Sequence, residues 1–148
     1  MNVPPSTAGT PQPKPRLTRF LPATARLLLG LPLVIFGLNA FFNFIPPPPT
    51  PLPEKATAFV TALMNSGYML PLIGVTHLCV GLLLVSNRFV PLALVLFAPF
   101  LVNAIVFHAA LERSGLGMVG IFLVLVVYLA WVHRAAYRPL FVAKNSPT

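Results

Sequence analysis

The sequence predicts an all-α membrane protein: a polytopic four-helix bundle with a short amphipathic helix in its first outer loop. Three observations carry that prediction. Leu27–Pro53, Ala56–Asn87, Phe89–Leu111 and Ser114–Val132 contain no Asp, Glu, Lys or Arg, and the shortest of these stretches has 19 residues. About 20 apolar residues cross a bilayer core as helix. Only 8% of the chain is charged and 57% is hydrophobic, whereas a water-facing domain carries roughly a quarter charged residues. Finally, the charges fall on alternating sides of the apolar stretches. Lys14, Arg16, Arg19 and Arg26 precede the first, Arg88 separates the second from the third, and Arg134, Arg138 and Lys144 follow the fourth. Lys55 and Arg113 occupy the other loops, each beside one of the two acids, Glu54 and Glu112.

Four crossings place both termini and the middle loop on one side. The positive-inside rule makes that side cytoplasmic, with eight of the ten basic residues on it. The net charge of +8 therefore implies no nucleic-acid partner. Anionic headgroups of a lipid bilayer are sufficient counterions.

The elements follow in order. Residues 1–22 read as a disordered, Pro-rich basic cytoplasmic arm, since many prolines and few large apolar groups form no core. No A-x-A-like site marks a cleaved signal peptide. The four-helix transmembrane domain covers residues 23–138. Its first span, 23–45, has Pro22 at its start and Arg26 at the inner headgroups, and stops at Pro46–Pro49, which lack amide donors. An outer loop with a surface helix, 46–67, follows. There Phe59, Val60, Leu63 and Met64 recur at helical spacing while Thr57, Thr61 and Asn65 share another face, and Gly67 is the stop. A longer extension of the second span is the competing reading of this segment.

The second span, 68–86, turns back through Asn87-Arg88 into the third, 89–110, so these two are antiparallel neighbours. The fourth span, 117–136, has Tyr128, Trp131 and Tyr137 toward its inner end as interfacial anchors, and residues 139–148 form a cytoplasmic tail. Cys79 is the lone cysteine, which excludes an intrachain disulfide and a thiol oxidoreductase working through its own paired cysteines.

Polar side chains within hydrocarbon are unfavourable without partners and are the natural carriers of chemistry. They are Asn39 and Asn43 on the first span, Thr76, His77 and Cys79 on the second, and Asn103 and His108 on the third. At about 1.5 Å per residue, Asn43 and His108 lie about 3 Å below the outer surface, Asn39 and Asn103 about 10 Å, and His77 about 13 Å. Asn39, Asn43, His77, Asn103 and His108 form the candidate cluster, in the outer half or at mid-depth. Two readings compete. One is interhelical glue, with Gly30/Gly37 and Gly74/Gly81 letting the backbones approach. The other is a pocket for the head of a quinone, lipid or other amphiphile. No catalytic residue is assigned. No metal site is expected either: the two histidines differ in depth by about 10 Å at the same rise, and further ligands are lacking.

Several pieces, in this order, carry a family resemblance. They are Arg26-Leu-Leu-Leu-Gly30 through Phe36-Gly-Leu-Asn39, Phe44-Ile-Pro-Pro-Pro-Pro49, Gly67-Tyr-Met-Leu-Pro71 and Gly81-Leu-Leu-Leu. Arg88-Phe-Val-Pro-Leu92, Ala98-Pro-Phe-Leu-Val-Asn103 with Phe107-His108, and Tyr128-Leu-Ala-Trp131 with Tyr137-Arg-Pro139 complete the set. Over residues 23–140 the chain resembles the DoxX-like family of small four-helix membrane proteins. The resemblance implies a bacterial inner membrane and a redox connection, because relatives include the small subunit of an archaeal thiosulfate:quinone oxidoreductase. Asn103 and His108 match the family pattern. His77 departs from it: it stands where relatives commonly carry a Glu, so a proton-carrying carboxylate is missing, although His also titrates.

The expectation is an accessory or amphiphile-binding subunit. The alternative is a membrane subunit of a quinone-coupled oxidoreductase, in which His77, Asn103 and His108 hydrogen-bond quinone carbonyls and partner subunits complete the enzyme. A small transporter is disfavoured, since four spans without an intramembrane acid or inverted repeat offer little machinery for alternating access. No cofactor is assigned, quinone being the one candidate.

Overall fold

A computed structural model of the chain describes residues 16–47 and 49–141, and among these the regular structure is entirely helical. The helices are α1 (Arg16–Phe42), α2 (Glu54–Asn65), α3 (Met69–Val85), α4 (Val90–Ala110), α5 (Leu116–Val132) and α6 (Arg134–Tyr137), followed by a 3₁₀ turn at Arg138–Phe141. Phe20–Phe42 of α1 and all of α4 are long and apolar enough to cross a membrane unaided. α2 with α3, bent by 88°, and α5 with the segment after it, bent by 77°, qualify only as bent pairs, so the chain has two to four candidate spans.

The first helix differs from expectation at both ends. It begins at Arg16, seven residues before the predicted start, so residues 16–22 of the predicted disordered arm are helical; the rest of that arm lies outside the described residues. Pro22 is thus interior, not initial. Arg and Leu, which dominate the turn before it, are good helix formers, and side-chain donors crowd the carbonyls around the ring. Thr24 Oγ1 donates to the Phe20 carbonyl at 3.1 Å and Arg26 Nε to that of Pro22 at 3.3 Å. At the other end the helix stops at Phe42, ahead of the prolines, because Asn43 is left-handed at φ 49°. Asn is a common residue after glycine for this helix-ending conformation. The Asn43 amide donates to the Asn39 carbonyl at 2.9 Å, and Asn39 Oδ1 accepts the Ile45 amide at 2.7 Å.

One serine makes the sharp bend between α2 and α3. Ser66 Oγ donates to the Leu63 carbonyl at 2.6 Å and accepts the Met69 amide at 3.1 Å, closing one helix while opening the next. Gly67 supplies the positive φ of 75° that the reversal requires. At the α3–α4 turn, Asn87 takes the same role at φ 57°. The Arg88 amide reaches the Leu83 carbonyl at 3.0 Å and the Asn87 amide reaches that of Leu84 at 3.2 Å, a complete Schellman closure.

α1 packs on α3, α3 on α4, α4 on α5, and α5 returns to α1. The α1–α3 contact is the most intimate. The two helices run antiparallel with Gly30 against Gly81 and Gly37 against Gly74. A Cβ on Gly37 would lie 2.7 Å from Leu78 Cγ and 2.8 Å from Leu78 N; one on Gly81 would lie 2.7 Å from Val34 Cγ2 and 2.8 Å from Val34 N. Backbone therefore meets backbone, the arrangement small residues permit where lipid offers no hydrophobic drive for association. Toward the Arg88 end, Leu29 and Leu33 of α1, Val80 and Leu84 of α3, Ala93 of α4 and Leu129 of α5 are wholly buried in one apolar cluster.

The last helix is shorter than predicted. α5 ends at Val132 and the chain turns through His133, whose Nδ1 lies 2.9 Å from the Leu129 carbonyl. Arg134 then sits 5.0 Å from the centre of the Trp131 ring and donates to the Trp131 carbonyl at 3.2 Å. The Tyr137 hydroxyl donates to the Pro91 carbonyl at 3.2 Å, tying the bent segment to the start of α4. A guanidinium over an indole and a tyrosine bonded across helices hold the bent segment where the chain leaves the axis of α5.

Candidate functional site

The glycines that draw α1 onto α3 do not reach α4 and α5, and in the half away from the Arg88 turn α1, α3, α4 and α5 line a cavity of about 420 Å³. Its walls are mostly apolar: Phe36 and Ala40 on α1, Leu70 and Ile73 on α3, Phe97, Phe100, Leu101 and Ala104 on α4, and Met118, Val119 and Phe122 on α5. The polar exceptions are Asn39, Asn43, His77 and His108. Four of the five residues singled out from the sequence thus border one space. The fifth, Asn103, does not: it is exposed and absent from the lining. Helix phase is the reason. Phe97, Leu101, Ala104 and His108 follow one another at steps of four, three and four and share a face, whereas Asn103 falls about 100° off that of Ala104 at 3.6 residues per turn. Thr76 turns back on its own helix, donating to the Leu72 carbonyl at 2.8 Å, and Cys79 is exposed.

His77 is 6% exposed and sits at the deep end of this space. It is level with Gly37, whose added Cβ would meet Leu78. Its ring stands edge-on to Phe100 with centroids 4.3 Å apart and to Phe97 at 6.1 Å. Its Nδ1 lies 2.9 Å from the Ile73 carbonyl oxygen. A carbonyl only accepts, so Nδ1 is the donor, and in the neutral ring Nε2 carries the lone pair.

The opposite end of the cavity is organised around an acid that sequence reasoning left in a loop. Glu112, at the turn after α4, accepts the Ser114 amide at 2.7 Å and the Gly115 amide at 3.2 Å. His108 Nδ1 lies 2.9 Å from its Oε2 and 3.0 Å from its carbonyl oxygen. Hydrogen bonds from Ser114, hydroxyl before amide, hold the carboxyl down to about 2 against the opposing effect of burial, with smaller help from the Gly115 amide and His108. The His108 ring lies flat on Gly115, where an added Cβ would overlap it. The signal was present in the sequence, since His108 and Glu112 are four apart, the spacing at which helix neighbours meet.

Both histidines therefore commit Nδ1 to fixed oxygens, and both border the cavity. Among the described residues no three of His, Cys, Asp and Glu gather to hold a metal ion. The arrangement suits shape-selective binding of an apolar or aromatic group by Phe side chains, with a few polar atoms fixing its orientation.

Fold and site together define a small multi-pass membrane protein with apolar helices around an aromatic-walled cavity. A family model described as DoxX matches residues 21–110, and the chain belongs to the DoxX family. The match ends with α4, so α5, which supplies one wall of the cavity, lies beyond it. No curated protein and no solved structure matches the chain.

Proposed function

We propose that this DoxX-family protein is an accessory subunit of a bacterial inner membrane that holds the head of an amphiphile in its outer-half cavity. In this reading α1, α3, α4 and α5 each span the bilayer as a four-helix bundle, with α2 as an amphipathic helix on the outer surface. Both termini are cytoplasmic. Arg88 at the α3–α4 turn and Arg134 and Arg138 after α5 support that orientation, as does the pairing of Lys55 and Arg113 with acids at the opposite end. The 88° bend at Ser66 supports the surface helix, as does the Phe59 ring of α2 lying 5.6 Å from Phe107 near the outer end of α4.

The observation that carries binding over glue is the space itself. Polar groups that only joined helices would bond to one another, whereas here Asn39, Asn43, His77 and His108 border a cavity of about 420 Å³, and the side chains of Asn39, His77 and His108 bond to nearby backbone or to Glu112. Such a volume lies within the range of small-molecule pockets. The test is extraction and mass spectrometry of the protein purified in mild detergent, wild type against Ala104→Trp, which fills the cavity from α4. A stoichiometric amphiphile in the wild type that is missing from the variant is expected; identical extracts would overturn the reading.

A second reading, a subunit of a quinone-coupled oxidoreductase with partner subunits, is favoured by one feature: planar Phe97, Phe100 and Phe122 beside an imidazole can hold a ring and move a proton. Quinone in the wild-type extract that disappears in His77→Ala/His108→Ala supports it.

A further inference from the structure

We infer that the cavity selects amphiphiles with a phenolic hydroxyl, the hydroxyl donating to His77 Nε2, over those presenting only an ether or carbonyl at that end. The inference rests on the proposed amphiphile site and names the chemistry of its ligand.

The argument starts from the proton on the histidine. The Ile73 carbonyl, 2.9 Å away, can only accept, so it fixes the proton on Nδ1 and leaves Nε2 as an acceptor. The ring is 6% exposed and lines the cavity. Nε2 has no hydrogen-bond partner among the described residues and is not sealed off, since no buried side-chain nitrogen or oxygen there lacks a partner. A lone pair at the floor of an apolar pocket is satisfied by a donor and by nothing else, and leaving it unmet on desolvation is unfavourable. None of the other lining residues near the floor supplies that donor: Phe36, Phe97, Phe100, Leu101 and Phe122 are all apolar.

The walls set the second requirement. Phe97 and Phe100 stack at 5.7 Å and both stand edge-on to His77, and Phe122 meets Phe97 edge-on at 6.5 Å. Such a box favours a flat aromatic ring. The rim offers the complementary group: Asn39 spends its Oδ1 on the Ile45 amide, which leaves its NH₂ as a donor for an oxygen further out on the ligand. A ring with a hydroxyl inward and an apolar tail leaving between helices meets all three demands. By the same rule the dihydroxy, reduced form of a quinone fits the floor and the dicarbonyl form does not.

The test compares 4-octylphenol with 1-methoxy-4-octylbenzene, which differ in the donor alone. Binding to the full chain in lipid nanodiscs is measured by equilibrium dialysis against empty nanodiscs, so that bilayer partitioning cancels. The phenol is expected to bind roughly three- to ten-fold more tightly than the ether, the range of one net hydrogen bond, and His77→Leu is expected to abolish the preference. Equal binding of phenol and ether overturns the inference while leaving the amphiphile site standing; absence of binding by both overturns the two together. A preference that survives in His77→Leu also overturns it. Should that variant fold poorly, ¹⁵N spectra of histidine-labelled wild type decide: a His77 proton on Nε2 ends the inference, and a proton on Nδ1 with an Nε2 shift on adding the phenol sustains it.

Discussion

The two halves of this protein, one toward the Arg88 turn and one toward Glu112, are built from the same apolar alphabet and reach opposite results. Toward Arg88, Leu29, Leu33, Val80, Leu84, Ala93 and Leu129 close on one another with no accessible surface left. Toward Glu112, Phe36, Phe97, Phe100 and Phe122 border a space of about 420 Å³. The difference lies in side-chain shape and in where the polar atoms fall. Branched aliphatic groups interdigitate from four helices, while the flat rings pack on one another and on the His77 imidazole, which is held to backbone, and leave the space beside them unfilled. A bilayer protein cannot use hydrophobicity to tell core from surroundings, so packing and polar placement have to make the distinction.

Four experiments would break or sharpen this contrast. The largest effect is expected from Gly37→Val, because the new side chain meets Leu78 Cγ at 2.7 Å together with fixed backbone, Leu78 N at 2.8 Å and the Gly74 carbonyl at 3.0 Å. We expect at least about 3 kcal/mol of destabilisation, read as loss of monodisperse protein and a collapsed unfolding midpoint in detergent. Next comes a matched pair. Ala93→Leu, placed in the closed half, should cost about 2 kcal/mol by overpacking. Ala104→Leu, facing the cavity, should change stability by less than about 0.5 kcal/mol, as substitutions away from packing constraints do. Equal costs for the two would erase the distinction.

The third experiment is smaller and concerns pH. Glu112 has its pKa lowered in the folded protein to about 2. Its contribution to stability is therefore complete above the ordinary carboxylate range and is lost as pH falls from about 4.5 toward 2. Thermal midpoints should decline through that window in the wild type and decline less in Glu112→Gln. The smallest effect belongs to Tyr137→Phe, which removes one bond to the Pro91 carbonyl. About 0.5 kcal/mol is expected, seen as faster hydrogen exchange after Val132 with the rest of the protein unchanged.

Much of the fold was legible because its causes are local. Gly67 and the Asn87-Arg88 turn set helix ends to within a few residues, and the prolines after Ile45 mark the end of α1 nearly as closely although Asn43 makes it. The start of α1 was not, since Pro22 reads as a helix beginning until side-chain donors around it are seen. The break at His133 depends on Trp131, Arg134 and a tyrosine bond to a residue 46 positions away, which no window on the sequence contains. For the site, the helices that contribute were legible and the rotation of one of them was not. Asn39, Asn43, His77 and His108 meet at one cavity, while Asn103 lies at a suitable depth on the wrong side of its helix. The Glu112 contact was hidden by reading that acid only as the neighbour of Arg113.

The antiparallel glycine crossing also constrains how the molecule is made. α1 leaves the ribosome first, yet the surface it fits belongs to α3, and the whole of α2 must be synthesised in between. Until Gly81 has emerged, the grooves at Gly30 and Gly37 can be filled only by acyl chains or by a helper protein. Nascent chains halted at Asn65 should therefore stay loose and protease-sensitive, and those halted beyond Val85 should lock.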